Sequence, residues 1–223
     1  MTAGRLIVIE SGIDGIGKTT QFEMLYTKLK QEDYDVYKVE FPDYDSDSSA
    51  LVRMYLRGEF GEKPKDINLY AASTFYAVDR FASFQKKWKD LYNKGAIILA
   101  DRYTTSNMIH QASKIDDLEE RESYLDWLRD LEFNKFALPE PDLVVFLDMP
   151  PKYSIKLIND RGYQDIHERD IEYLHTTYQN ALRITKKYNW SIVNCIRDDR
   201  IKSIEEIHKE IYKNTKKILE GGF

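Results

Sequence analysis

The sequence predicts an α/β fold in which five strands form one parallel sheet with helices on both faces. Short apolar runs alternate with stretches of helical periodicity, which is the order typical of βαβ units. Two of the runs, 96–100 and 143–147, are apolar at every position, as expected for strands buried on both faces of a parallel sheet. The predicted strands are residues 6–9, 36–39, 96–100, 143–147 and 191–196.

Helical patterns fill the intervals between these strands. After the first strand, Phe22, Leu25, Tyr26 and Leu29 recur at helical spacing. A longer pattern over residues 66–92 carries many aromatic side chains, most of which we expect in the core. The predicted helices are residues 18–30, 50–56, 66–92, 104–113, 118–133, 152–160 and 204–219, and a short charged loop from Arg161-Gly162 separates 152–160 from a further helical stretch that runs to about 187.

Length and composition narrow the class of protein. The 223 residues contain no linker, repeat or low-complexity tract, which predicts a single domain over residues 1–223. A formal net charge of −5 argues against a general affinity for nucleic acid. No apolar run approaches membrane-spanning length, and the N-terminus lacks a signal-peptide pattern, so we expect no membrane partner. The sole cysteine, Cys195, favours a reducing cytoplasm and a buried position over a nucleophilic role.

A glycine-rich turn follows the first predicted strand. Residues 12–19 fit G-x-x-x-x-G-K-[ST] at every fixed position and lead into a predicted helix. Glycines let backbone N–H groups turn towards a phosphate without a Cβ in the way, and the helix dipole favours the same anion. An ordinary glycine turn is the alternative, but the strand–turn–helix context is the one that phosphate binding requires. The predicted nucleotide-triphosphate cradle comprises Gly12, Ile13, Asp14, Gly15, Ile16, Gly17, Lys18, Thr19 and Thr20.

A second set of charged residues indicates a second anionic ligand. Asp101 and Arg102 stand at the carboxyl end of a predicted strand, where open α/β sheets bind their ligands. Arg80 and Arg161 also lie where an element ends or a helical face is interrupted. Arginine offers a planar fork for phosphate oxygens, although a single arginine is usually a solvated surface charge. Together with the cradle, the three arginines favour a nucleoside monophosphate kinase over a switch or a motor.

These segments resemble the thymidylate kinase family over nearly the whole chain. The sequence ESGIDGIGKTT at 10–20 is similar to the family's E-G-x-D-G-x-G-K-[ST]-T, with Ser11 where glycine is usual. FYAVDR at 75–80 resembles L-F-x-A-D-R, and DRYTTSN at 101–107 with Gln111-Ala112 resembles D-R-Y-x-x-S-x…Q-[GA]. PDL at 141–143 and LDMP at 147–150 match the P-D-L…L-D-x-P strand. Residues 161–168 resemble the R-G…D-x-x-E lid, whereas the chain from Trp190 onward matches only in pattern.

The resemblance implies a P-loop nucleotide-kinase fold, a homodimer, and transfer of the ATP γ-phosphoryl group to dTMP with Mg²⁺, giving dTDP and ADP. Asp14 would orient the acceptor-side arginine or a metal-bound water, Lys18 would bridge the phosphates and Arg102 would clamp the acceptor. Phe75 would stack on thymine. The implied catalytic residues are Asp14, Lys18, Arg102 and Arg161; Thr19 would bind Mg²⁺ directly and Asp101 indirectly. The implied dTMP-binding residues are Asp14, Phe41, Pro42, Arg53, Phe75, Arg80, Arg102, Ser106, Asn107, His110 and Gln111.

Some positions depart from the family pattern. Asp43-Tyr44 follows Phe41-Pro42 where many members place an arginine, so we expect monophosphate recognition to rely more on Arg102 and Arg53. Gly15 stands where one branch carries an arginine that reaches the transferred phosphoryl group. That charge is therefore expected from a lid at about 160–168, through Arg161 or alternatively Arg169. His110 stands where some members carry a tyrosine near the sugar; it either contacts the sugar or packs in its helix.

Two other functions share the glycine turn. A deoxynucleoside kinase would phosphorylate a 5′-hydroxyl, and a non-catalytic regulatory protein would bind the nucleotide alone. The Asp-Arg-Tyr pattern at 101–103 and Asp14 inside the cradle argue against the first, and a second phosphate clamp argues against the second. The predicted substrates are ATP and dTMP, with purine monophosphates as poor acceptors.

Overall fold

The computed structural model describes residues 4–13, 15–61, 66–160 and 171–221. Its main sheet has five strands, all parallel, which confirms the predicted fold class. The strands are β1 (Arg5–Ser11), β2 (Val36–Glu40), β3 (Ile97–Asp101), β4 (Leu143–Asp148) and β5 (Ser191–Asn194). Their order across the sheet is β2-β3-β1-β4-β5, so the first strand lies at the centre.

Helices connect the strands in the predicted order. They are α1 (Lys18–Gln31), α2 (Ala50–Leu56), α3 (Leu69–Ser83), α4 (Lys89–Asn93), α5 (Thr104–His110), α6 (Leu118–Arg129), α7 (Pro151–Asp160), α8 (Ile171–Lys187) and α9 (Ile204–Leu219). Short 3₁₀ turns cover Asp47–Ser49 and Ala112–Lys114, and π-helical segments cover Phe84–Trp88 and Asp130–Lys135.

The long helix predicted over 66–92 begins later than expected and is not uniform. Asn68 caps it, because its side-chain oxygen accepts from the backbone N–H groups of Tyr70 at 2.8 Å and Ala71 at 3.3 Å. The π-helical segment Phe84–Trp88 then separates α3 from α4. Trp88 is buried there, so the local widening of the helix accompanies the packing of a large ring.

A two-stranded hairpin was not predicted. β6 (Ile196–Arg197) pairs with β7 (Arg200–Ile201) in an antiparallel ladder directly after β5. Asp198 and Asp199 form the turn with φ of 50° and 54°, the left-handed values that a two-residue type I′ turn requires. The strand predicted at 191–196 therefore ends at Asn194, and Cys195 separates it from the hairpin.

Both faces of the sheet are covered, as predicted. Ile7 and Ile9 of β1 pack with Leu25 of α1 and Ile211 of α9 on one face. The alternate residues Leu6 and Val8 pack with Phe84 and Trp88 on the other face. Cys195 is fully buried as expected, and burial raises the pKa of its thiol to about 12. In the described parts of the chain, we find no helix with the length and apolar character needed to cross a membrane.

Candidate active site

The segments that follow β1 and β3 meet at the carboxyl edge of the sheet. Register pairs Ile9 of β1 with Asp101 of β3, and Ser11 with Leu147 of β4. The glycine turn after β1 and the Asp-Arg pair after β3 therefore emerge side by side. A cavity of about 460 Å³ lies between them.

The glycine turn forms one wall of this cavity. Gly15 and Gly17 have φ of 75° and 88°, in the left-handed region that residues with a Cβ avoid. Gly17 also precedes α1, and no side chain in the described part of the chain caps the first turn of that helix. Its backbone N–H groups are thus available to an anion. Of the predicted cradle, Gly12, Ile13, Gly15, Lys18 and Thr19 line the cavity, whereas Ile16 packs in the core and Thr20 is exposed.

Lys18 and Asp101 link the N-terminus of α1 to the end of β3. The Lys18 ammonium is buried and contacts the Asp101 carboxylate, and both residues line the cavity. Thr19 lies beside them on the same wall. A hydroxyl and a carboxylate are hard oxygen donors of the kind that Mg²⁺ uses together with water and phosphate oxygens. Within the described residues, no cluster of three acidic, histidine or cysteine side chains could form a closed metal cage. Thr19 and Asp101 could therefore contribute to a Mg²⁺ site that water and phosphate oxygens complete.

Arg102 occupies a strained position beside the cradle. Its φ of 68° is left-handed, which costs about 1–2 kcal/mol for a residue with a Cβ. Its Nη1 lies 3.2 Å from the Ser106 hydroxyl and 3.7 Å from the Glu10 carboxylate. Strain of this kind persists where the surrounding structure fixes the residue for a function.

Glu10 was not among the predicted site residues, yet it organises this wall. Its carboxylate is completely buried and accepts hydrogen bonds from the hydroxyls of Thr105 at 2.8 Å and Ser106 at 2.7 Å. It also accepts from the Ser11 backbone N–H at 3.0 Å. These shorter hydrogen bonds use most of the acceptor positions of the Glu10 carboxylate, and its contact with Arg102 is a longer ion pair.

Arg80 is held in a very different way. Its Nε and Nη2 donate to the two oxygens of buried Glu132 at 2.6 and 2.5 Å, and Nη2 also donates to Asn107 Oδ1 at 3.0 Å. Burial opposes the charge of Arg80, but the adjacent Glu132 carboxylate outweighs burial and raises the pKa of Arg80. Arg80 and Asn107 both line the cavity as predicted. Among the described residues, Nη1 of Arg80 has no hydrogen-bond partner.

The far wall of the cavity comes from the end of α5 and the turn that follows. His110 and Gln111 line it as predicted, and His110 Nδ1 lies 3.5 Å from the Tyr173 hydroxyl of α8. Lys114 also lines it, and its ammonium donates to Gln111 Oε1 at 2.9 Å and to the Tyr55 hydroxyl at 2.8 Å. Neither Lys114 nor Tyr55 was predicted from the sequence.

Comparison with known proteins identifies the family. The chain matches the family model described as thymidylate kinase over residues 9–211. The chain belongs to the thymidylate kinase family. It is 34% identical over 208 residues to a probable thymidylate kinase of Thermococcus onnurineus, covering 92% of this chain and 94% of that relative. It is 31% identical over 219 residues to a probable thymidylate kinase of Pyrococcus horikoshii, covering 98% of each.

A solved structure of the same family supports the assignment. The thymidylate kinase from Candida albicans has a TM-score of 0.72 and 26% sequence identity to this chain. The match covers 97% of this chain and 93% of that structure. The predicted resemblance to thymidylate kinases is therefore confirmed over nearly the whole length.

The structure corrects the aromatic residue expected at the thymine site. Phe75 lies off the cavity wall and packs against Phe60, with ring centroids 5.5 Å apart. Tyr76 lines the cavity instead. Residues four apart share a face of a helix, so Tyr76 lies on the same face of α3 as Arg80, and Phe75 does not. Burial raises the pKa of the Tyr76 hydroxyl, so its ring is neutral under physiological conditions.

Arg53 also lies off the cavity wall, contrary to the prediction. Its Nη1 donates to the backbone oxygens of Tyr44 at 2.9 Å and Ser46 at 3.0 Å, and to the Ser49 hydroxyl at 2.6 Å. Arg53 therefore secures the loop after β2. That loop brings Phe41, Pro42 and the unpredicted Tyr44 to the cavity.

Some predicted residues lie outside the described part of the chain. They are Asp14 of the glycine turn, and Arg161 and Arg169 of the expected lid. Predictions for these three residues stay predictions from the sequence.

Proposed function

We propose that the residues around this cavity transfer the γ-phosphoryl group of ATP to dTMP, giving dTDP and ADP, the reaction of the thymidylate kinase family. The observation that carries the assignment is the convergence of the glycine turn, the Lys18–Asp101 pair and Arg102 on one cavity. This arrangement provides one anion site next to another, which phosphoryl transfer between two nucleotides needs.

The donor phosphates would lie along the glycine turn and the N-terminus of α1. Backbone N–H groups bind phosphate oxygens there, and the Lys18 ammonium supplies a point charge. Lys18 contacts Asp101 in the present structure, so it would exchange or share that partner when phosphates bind. Thr19 and Asp101 would hold Mg²⁺. When bound, this ion neutralises charge on the transferring group.

The acceptor phosphate would lie against Arg102. The phosphate of dTMP is already ionised at neutral pH, so its attack needs orientation and charge stabilisation more than a general base. The planar guanidinium of Arg102 provides both through paired hydrogen bonds. Glu10 and Ser106 contact Nη1 of Arg102 and so help to orient its guanidinium.

The pyrimidine would lie between Tyr76 and the polar groups of Arg80, Asn107 and Gln111. An offset aromatic contact with Tyr76 would fix the plane of the base. Arg80 cannot move far, since Glu132 holds it with two hydrogen bonds, so its Nη1 presents a fixed donor. A purine acceptor would be disfavoured, because a buried polar group left unpaired costs about 1–3 kcal/mol.

The positive charge that stabilises the transferred phosphoryl group would come from an arginine of the lid. Gly15 has no side chain to supply it, and Arg161 follows α7 in the sequence. An arginine acting in this way is worth roughly 10³–10⁵ in kcat in related phosphoryl transfers.

A coupled assay of ADP release tests the proposed function. The parent protein should phosphorylate dTMP with Mg²⁺ and ATP, lose turnover when the metal is chelated, and show little turnover with guanylate or adenylate. Turnover with thymidine in place of dTMP would instead indicate a deoxynucleoside kinase. Nucleotide binding without turnover of any acceptor would indicate a regulatory protein.

We also propose a homodimer in the cytoplasm. Val78 and Phe81 are three residues apart on α3, and their exposed side chains give an apolar face; Leu51 is also exposed on α2, which packs against α3. Light scattering should give twice the chain mass, and Val78→Asp should reduce it to the mass of one chain.

The proposed cytoplasmic location agrees with the sole cysteine, Cys195, which is buried and needs no oxidising compartment. Cell fractionation can test this location.

A further inference from the structure

The amide group of Gln111 has a fixed orientation at the cavity wall. Its Oε1 accepts a hydrogen bond from the Lys114 ammonium at 2.9 Å, and the two residues are three apart in the chain. An ammonium has three donors and no acceptor, so it can only face the oxygen of the amide. The amide nitrogen of Gln111 must therefore point away from Lys114.

The Gln111 amide nitrogen has no hydrogen-bond partner among the residues that the structure describes. Gln111 is almost entirely buried, at 5% exposure, and it lines the cavity. An unpaired donor in a buried wall favours a ligand that carries an acceptor at that place. Arg80 fixes Asn107 in the same manner, because its guanidinium faces Asn107 Oδ1.

The Tyr55 hydroxyl is a second acceptor for the Lys114 ammonium and is separate from Gln111. It accepts from the same ammonium at 2.8 Å, and it also lines the cavity. Lys114 forms no ion pair with a carboxylate among the described residues. Its charge is thus directed onto two neutral oxygens, one of which belongs to Gln111.

We propose that Lys114 is a specificity-determining residue, which selects 4-oxo over 4-amino pyrimidine nucleotides by holding the Gln111 amide with its NH₂ group towards the base. The inference rests on the proposed function. Thymine and uracil present carbonyl oxygens to such a donor, whereas cytosine presents an amino group at position 4. Two donors facing each other in a buried site lose a hydrogen bond and leave both groups unpaired.

Removing the ammonium should relax this selectivity. In Lys114→Met the Gln111 amide can rotate and present its oxygen to the cytosine amino group. The ratio of the dissociation constants of dCMP and dTMP, measured by calorimetry without ATP, should fall about 10-fold. The ratio for dUMP and dTMP should stay within about twofold, because both bases carry the same 4-oxo edge.

Two further variants separate the effect of the Gln111 amide orientation from a general loss of nucleotide binding. Tyr55→Phe removes the other hydrogen bond of the same ammonium, so its dCMP to dTMP ratio should match the parent. Gln111→Glu offers only acceptors beside Lys114, so its ratio should fall at least as far as in Lys114→Met. This variant decides the matter if Lys114→Met does not fold. A dCMP to dTMP ratio unchanged in Gln111→Glu, or equal losses for all three nucleotides in Lys114→Met, would overturn the proposal.

The parent protein provides the separate control on the proposed function. If it binds and phosphorylates dTMP but the variants keep its selectivity, only the role of Lys114 fails. If the parent does not phosphorylate dTMP, the proposed function fails and this inference fails with it.

Discussion

Two buried glutamates hold two arginines in this site, and they hold them differently. The side chains of Arg80 and Glu132 are 1% and 0% exposed, and they share a two-point contact of 2.5–2.6 Å. Arg102 keeps 19% of its side chain exposed and lies 3.7 Å from Glu10. The first pair is a short contact within the core, whereas the second is a longer contact at a partly exposed arginine.

The difference follows from what else each carboxylate accepts. Glu132 accepts from Arg80 and from the Thr104 hydroxyl at 2.6 Å, so Arg80 is its main partner. Glu10 accepts hydrogen bonds from Ser11, Thr105 and Ser106, and each of these is shorter than its contact with Arg102. A charge that is already neutralised by a short, buried pair gains little by binding an anion. The partly exposed Arg102 is thus suited to the acceptor phosphate that we propose for it, and the tightly held Arg80 to a neutral base.

The largest expected effect comes from breaking the buried pair of Arg80 and Glu132. Glu132→Gln keeps the volume of the side chain but leaves the Arg80 charge buried without a counter-charge. Loss of one partner of a buried ion pair costs about 3–5 kcal/mol, so the free energy of unfolding should fall by that amount in chemical denaturation. Glu10→Gln provides the matched comparison and should cost less, since Arg102 is partly solvated. Equal losses in the two variants would contradict the distinction drawn between the pairs.

The sequence predicts the donor side of the site better than the acceptor side. The glycine turn is one contiguous segment whose residue types follow directly from phosphate binding, and its position after β1 needs only local periodicity. The acceptor side depends on pairs such as Arg80 and Glu132, which are 52 residues apart in the chain. No pattern in a single sequence shows that Glu132 would meet Arg80. Lys114 was missed although it lies only three residues from Gln111, a spacing that is a local signal.

Errors within predicted elements have local causes. Helical spacing from Arg80 would have selected Tyr76 rather than Phe75, because residues four apart share a face. Asn68 is a strong capping residue and could have placed the start of α3. The hairpin turn at Asp198-Asp199 was harder to predict, since asparagine-glycine or aspartate-glycine pairs are the usual signal for a type I′ turn.

A smaller effect is expected from changing the shape of the partly exposed arginine, Arg102, while keeping its charge. Arg102→Lys retains a cation near Glu10 but loses the planar fork that can grip two phosphate oxygens. We expect kcat/KM for dTMP to fall about 100-fold, which corresponds to about 2.7 kcal/mol, with the affinity for ATP retained. The free energy of unfolding should change by less than about 1 kcal/mol. Arg57→Lys, at an exposed position after α2, is the control for the exchange itself. Parent-like kinetics in Arg102→Lys would rule out the clamp.

The smallest expected effect isolates the backbone from the charge at the same position. Arg102→Gly and Arg102→Ala both remove the guanidinium, so both lose its ion pair and the contact with the acceptor phosphate that we propose for it. They differ only in the cost of the left-handed φ of 68°, which glycine adopts freely and alanine does not. Arg102→Gly should therefore be more stable than Arg102→Ala by about 1 kcal/mol in chemical denaturation, although neither should phosphorylate dTMP. Ala71 lies exposed on the regular helix α3, where the same exchange should have the opposite sign, with Ala71→Gly losing about 1 kcal/mol. If alanine were the more stable residue at position 102 as well, the backbone strain assigned to Arg102 would be absent.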